Sequence, residues 1–143
     1  MNVYFGDYDP TSGETSRNWG CHVLEISGPR QPGVTQESIN TQMLRIPSAG
    51  QMALAFNNSP YQLLRDESTT QSGVEMLRLE GASDHPDSGV SWVASQAFAI
   101  AREEDVLLVI VDCMIVTFNF RAQPEMNAIL DSVDIYIPAP PKP

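Results

Sequence analysis

Hydrophobic and polar positions change period several times along the chain, and each change predicts an element. Residues 1–20 scatter aromatics among Gly, Asp, Ser and Thr, which predicts a short edge strand at Val3–Phe5 and then an irregular loop. His22–Ile26 predicts a second strand, ended by Gly28-Pro29-Arg30-Gln31-Pro32-Gly33. Thr35 then offers a side-chain oxygen as helix N-cap, and Glu37 stands in the first turn, where the helix dipole favours a carboxylate. Ile39, Met43 and Ile46 recur on one helical stripe, and Pro47 is expected to stop that helix. Gln51–Phe56 fits either a second short helix or a strand, closed by Asn57-Asn58-Ser59-Pro60.

From Tyr61 the pattern alternates. Tyr61–Ser68 and Val74–Glu80 are predicted to pair across Thr70-Gln71-Ser72-Gly73, with Leu77 and Leu79 on one face and Met76, Arg78 and Glu80 on the other. One face is expected to be buried and the other at least partly wet. After a polar loop over Gly81–Gly89, Val90–Ile100 predicts a long strand carrying Trp92, Ala94, Gln96, Phe98 and Ile100 on one side. Arg102-Glu103-Glu104-Asp105 makes a charged turn. Val106–Val111 is apolar at every position, so it is expected at the centre of the sheet with both faces covered, and Met114–Phe120 extends it or leads out. Pro124 suits the first turn of a helix, and Met126, Ile129, Leu130 and Val133 form its apolar face. Asp134–Ile137 predicts a last strand, before a Pro-rich extended tail at 138–143.

These elements predict an α+β fold, a central antiparallel sheet flanked by helices. The N-terminal edge strand and loop occupy 1–20, a single domain 21–137 and the tail 138–143. The alternative is an all-β jelly-roll sandwich, which reads Ala128–Ile135 as a final strand. Pro124 and the three-four spacing favour helix to about Ser132.

Composition narrows the function. At 143 residues and 42% hydrophobic, the chain matches one globular domain. Its 18 acidic against 8 basic side chains leave a net charge of −10, a field that repels phosphate backbones, so no nucleic-acid partner is expected. The Val106–Val111 run ends at Asp112 and is too short to span a bilayer. Without a basic, apolar leader the expected location is the cytoplasm, or the periplasm or exterior if a signal peptide has been removed. Cys21 and Cys113 have no motif spacing and read as reduced thiols on strands; a disulfide requires those strands to be neighbours.

The only histidines are His22 and His85, with no zinc-ligand spacing around them, and Asp84-His85-Pro86-Asp87 lacks the glycine and terminal glutamate of a calcium loop. No nucleophile elbow, phosphate loop or dinucleotide glycine pattern occurs. We therefore expect no enzyme and assign no catalytic residue, metal ligand or cofactor. Glu103, Glu104 and Asp105 read as a solvated turn. Asp112, beside Cys113, must reach water or find a donor, and reads as a strand end leaving the core. The candidate contact surface is the Trp92, Gln96 and Phe98 strand face, joined by the flexible side chains of Met52 and Met76. Gln96 adds an amide that suits a peptide backbone and is awkward to bury unpaired.

The segments Tyr61-Gln62-Leu63-Leu64-Arg65-Asp66-Glu67 with Gly73–Leu79, Ser95–Ile100 with Val106–Val111, and Met126–Val133 together resemble the PsbP/DcrB-like families. The resemblance covers about residues 21–137 and implies an antiparallel sheet carrying helices in a mostly non-catalytic binding protein. One branch of similar length comprises Eag-type chaperones that shield apolar segments of type VI secretion effectors; the chain opens without that branch's N-E-G and L-P segments. The leading expectation is thus a chaperone or adaptor that covers an apolar segment of a partner protein, and a homodimer is compatible with it. Two alternatives stand: a carbohydrate-binding sandwich in which Trp19 or Trp92 stacks on sugars, and a small acidic inhibitor or immunity protein.

Overall fold

Six strands make one antiparallel sheet in a computed structural model that describes residues 2–6, 19–40, 42–83, 90–115 and 123–135. In chain order the elements are β1 (Asn2–Gly6), β2 (Trp19–Pro29), α1 (Gln36–Asn40), α2 (Gln42–Ala55), β3 (Gln62–Gln71), β4 (Val74–Ala82), β5 (Trp92–Ala101), β6 (Asp105–Ile115) and α3 (Gln123–Asp131). The strands lie in the order β1-β2-β6-β5-β4-β3. β3 to β6 form a meander, and β2 crosses back to pair with β6 from Trp19↔Ile115 to Pro29↔Asp105. The expected α+β architecture is the one found. The all-apolar Val106–Val111 run lies in β6, between β2 and β5.

Each sheet face packs its own core. On one side, Leu77, Leu79, Val93, Ala97, Ala99 and Ile110 meet Ile39, Leu44, Met52 and Phe56 from α1, α2 and the turn after α2. On the other, Met76, Trp92, Ala94, Phe98, Val109 and Val111 meet Met126 and Leu130 of α3. Helices on both faces explain one correction. Leu77 and Leu79 are buried as expected, but on the β4 face expected to be at least partly wet Met76 and Arg78 are buried too and Glu80 is half-buried.

Local chemistry sets several boundaries. Ser38 N–H donates to Thr35 Oγ1 at 3.2 Å and Thr35 N–H to Ser38 Oγ at 2.9 Å, a reciprocal cap at the start of α1. Pro47 does not stop the helix, contrary to expectation: α2 runs through it to Ala55. The missing N–H and ring clash cost about 3 kcal/mol locally. Continuation buries Ser48, Met52 and then Phe56 against the sheet, which outweighs that cost. The ambiguous 51–56 segment is accordingly helical to Ala55. At Ser72 and Gly73 both φ angles are positive, 53° and 79°, the two-residue hairpin turn that matches strand twist.

Gly81, expected to open a loop, lies within β4, and a Cβ there would come within 3.1 Å of Met52 Sδ. Its bare backbone lets Met52, Phe56 and Tyr61 close over the sheet, with the Phe56 and Tyr61 rings stacked 4.8 Å apart. The closing segment is helix over Gln123–Asp131, which removes the jelly-roll alternative. Asp134 and Ile135 belong to no strand, while Tyr136, Ile137, the 138–143 tail and the 84–89 loop with His85 lie outside the described residues.

Candidate functional site

The five expected contact residues fall on two sides of the sheet. Trp92, Gln96, Phe98 and Met76 share the α3 face, in register as Arg78↔Gln96 and Met76↔Phe98, whereas Met52 lies under α2 on the other. All five are buried. Trp92 is 0% exposed, and its Nε1 donates to Glu80 Oε1 at 2.7 Å. The expected open aromatic face is therefore corrected to a core. The cause is the closing helix, whose Met126 and Leu130 stripe needs apolar surface to cover and packs with these residues. Gln96, awkward to bury unpaired, is paired: its Oε1 accepts from Arg78 Nη1 at 3.2 Å.

Two recesses open at the β3–β4 end of the sheet, one on each face. On the α2 side, a groove of about 140 Å³ is lined by Arg45, Ala49, Met52, Tyr61, Leu63, Asp66 and Leu79. Arg45 Nη1 spans it to Asp66 Oδ2 at 2.7 Å. Of its lining residues Leu63 is 49% exposed, and the sequence neighbours of Arg45 and Leu63, Ile46 and Leu64, are 80% and 52% exposed. The β-bulge between Leu63 and Arg65 occurs at this point of the edge strand. Met52 thus contributes to a recess from below, although little of it reaches solvent.

On the α3 side, a cleft of about 220 Å³ lies among Arg65, Glu67, Thr69, Met76, Arg78, Gln96, Leu130, Asp131 and Val133. Arg78 anchors it. The residue is 5% exposed, yet its Nη2 donates to Asn127 Oδ1 at 2.8 Å and its Nη1 to Asp131 Oδ1 at 3.2 Å. Its Nε has no hydrogen-bond partner among the described residues. Burial pulls the guanidinium below its ordinary value; Asp131 opposes the shift and Arg65 adds to it. Met76 and Gln96 line this same cleft, so two of the candidates meet here around an arginine that the alternating pattern of Val74–Glu80 had assigned to a half-wet face.

The cysteines are not reduced thiols on separate strands. Cys21 and Cys113 face each other across β2 and β6 and form a disulfide. The neighbouring pair in the register is His22↔Asp112, on the opposite face of the sheet. Asp112 does not leave the core as a strand end: β6 continues to Ile115 and Asp112 is buried. His22 Nδ1 lies 3.3 Å from Asp112 Oδ1, and that oxygen has no aligned donor among the described residues.

Burial pushes the Asp112 carboxyl above its usual value, and His22 offsets part of the rise. A raised acid holds its proton better in the folded state. Its contribution to stability is therefore complete below the ordinary aspartate range, near 3.8, and is lost as pH rises through the elevated native value. Asp112→Asn should remove that loss. In paired urea titrations the stability of the variant relative to the parent should grow from pH 4 towards pH 7. A flat difference would show that the carboxyl is not displaced.

No family model matches the chain, and neither does any curated protein sequence. Among solved structures the chain is similar to LpqN of Mycobacterium tuberculosis, involved in cell envelope biogenesis, at 13% identity and a TM-score of 0.50, covering 87% of this chain and 64% of LpqN. It thus spans less than two thirds of that protein. PA94 of Pseudomonas aeruginosa, of unknown function, matches at 13% identity and TM-score 0.43 over 99% of this chain and 85% of its own. CyanoP, the PsbP of the cyanobacterium Synechocystis, matches at 10% identity and TM-score 0.44 over 94% and 82%. The expected order of strand, helix, four-strand meander and helix is observed, the expected closing strand is not seen at Asp134 and Ile135, and the likeness to LpqN shows a shared fold.

Proposed function

We propose that the chain is a non-catalytic binding domain that holds an apolar segment of a partner protein in the α2–β3 groove, and that it works in an oxidising compartment. The observation that carries the first part is the exposure of Leu63 in the wall of a recess floored by Met52 and Leu79, with the exposed Ile46 and Leu64 next in sequence to the lining residues Arg45 and Leu63. Scattered exposed apolar residues are ordinary; a cluster of them bordering a lined groove suits a partner. The Arg45–Asp66 pair supplies one charge of each sign there, so a segment with a polar flank can be held in register.

The second part rests on the Cys21–Cys113 disulfide, since such bonds persist outside the reducing cytosol. That setting departs from the expected cytoplasm, and with it from a cytoplasmic secretion chaperone. It agrees with the envelope role of LpqN. No helix among the described residues is long and apolar enough to cross a membrane.

The test is site-specific photo-crosslinking in the native host. A benzophenone side chain at position 46 should capture a discrete protein adduct, and one at exposed Glu103 in the distant β5–β6 turn should not. Introducing Ile46→Asp beside a benzophenone at position 63 should cut the adduct about tenfold, the effect of losing one buried isoleucine side chain. Equal capture from positions 46 and 103 would remove the groove from the interaction.

A further inference from the structure

On the opposite face of the sheet from that groove, the cleft beside α3 is built differently, and we propose that it binds a small amphipathic monocarboxylate, its carboxylate on Arg78 and Arg65 and its apolar chain against Met76, Leu130 and Val133. Four observations support this. At about 220 Å³ the recess is smaller than the roughly 300 Å³ at which pockets house drug-sized molecules, so it suits a short chain with one polar end. Its polar end presents two guanidiniums in a chain of net charge −10.

Arg78 is also incompletely satisfied. Its Nε is buried without a partner among the described residues, and burial holds the guanidinium below its ordinary value although Asp131 offsets part of the shift. Its five N–H donors make three hydrogen bonds, to Gln96, Asp131 and Asn127, and the two left over among the described residues suit a further acceptor. The carboxylates already present are weakly held. The Asp131 side chain is 67% exposed and its contact with Arg78 is 3.2 Å, at the long end of the hydrogen-bond range. Glu67, paired with Arg65, is 58% exposed. Glu67 can return to water at little cost, because exposed ion pairs contribute only about 0–1 kcal/mol, and Asp131 can do so when another carboxylate replaces its charge beside the buried Arg78. An incoming carboxylate can therefore take the place of Asp131 while its chain covers the apolar wall.

The competing reading is that Arg78 serves only to pin α3 to β4 through Asn127 and Asp131. The two separate on titration of the whole chain with octanoate, octanol and octylammonium, following the Arg78 Nε–Hε and Met76 methyl resonances. Octanoate should shift both saturably, and octanol and octylammonium should bind at least about tenfold more weakly, since a charged hydrogen-bond pair is lost. Arg78 variants can lose α3, so the decisive variants are Asp131→Asn and Arg65→Gln, both away from the core. Asp131→Asn should tighten octanoate binding about threefold to tenfold by removing the competing carboxylate, and Arg65→Gln should weaken it by a similar factor. Equal affinity for octanoate and octanol, no response to Asp131→Asn, or shifts confined to Met52 in the other recess would each overturn the proposal.

Discussion

Replacing Cys21 and Cys113 together by alanine should lower the unfolding free energy by about 3–5 kcal/mol, the largest effect we expect from a surface-neutral change. The bond closes a sequence separation of 92, and loop closure on that scale removes substantial entropy from the unfolded chain. Both positions are buried, at 2% and 0% exposure, so the loss of two sulfur atoms adds a packing deficit to the entropic one. Guanidinium unfolding should show a lower midpoint, and a domain of this length should melt about 10–15 °C earlier. Treating the parent with a reductant should move it towards the variant. A change below about 1 kcal/mol in both experiments would mean that the β2–β6 pairing holds without the crosslink.

Trp92→Ala should cost about 3–5 kcal/mol, the range for emptying a large aromatic from a packed core. The residue is 0% exposed among Ala94, Phe98, Ile115 and Met126, and its removal also leaves Glu80 without the indole donor. Trp92→Phe keeps most of the volume and loses the hydrogen bond, so a smaller loss of about 1–2 kcal/mol is expected. If Trp92 were an open contact residue, alanine would change stability by no more than about 0.5 kcal/mol. Denaturant titration of the two variants therefore decides between core and contact roles.

The contrast between these two positions shows what the chain disclosed unaided. Val106–Val111 announced a central strand, and β6 does lie between β2 and β5, although within that run full burial holds only from Val109 on and Val106, Leu107 and Leu108 are half-buried. The α3 stripe and the Thr35 cap were legible because they depend on neighbours within a few residues. The Pro47 expectation failed because a local rule met a non-local gain, the docking of Met52 and Phe56 on the sheet. The Cys21–Cys113 bond was invisible because it depends on which strands β2 and β6 choose as neighbours, and no spacing encodes that.

The candidate site was half legible. Alternation placed Trp92, Gln96 and Phe98 on one face correctly, but alternation does not say whether water or a helix lies above it. Arg78 carried a signal that went unused: a lone arginine between Leu77 and Leu79 on a long strand needs partners, and Gln96, Asn127 and Asp131 supply them. The exposed Ile46 carried a misleading one. Its spacing from Ile39 and Met43 marked a core stripe, yet the buried contacts come from Ile39, Leu44 and Met52, and Ile46 is 80% exposed.

The crossing of β2 back to β6 has a consequence for the order of assembly. β3 to β6 pair with sequence neighbours and can zip as the chain emerges, whereas β2 is made early and its partner late. At synthesis rates of about 5–20 residues per second, the 92-residue separation leaves Cys21 waiting roughly 5–20 s for Cys113. Through that interval β2 has only β1 beside it, and its other edge and the free thiol of Cys21 are open to the wrong partner strand and the wrong sulfur.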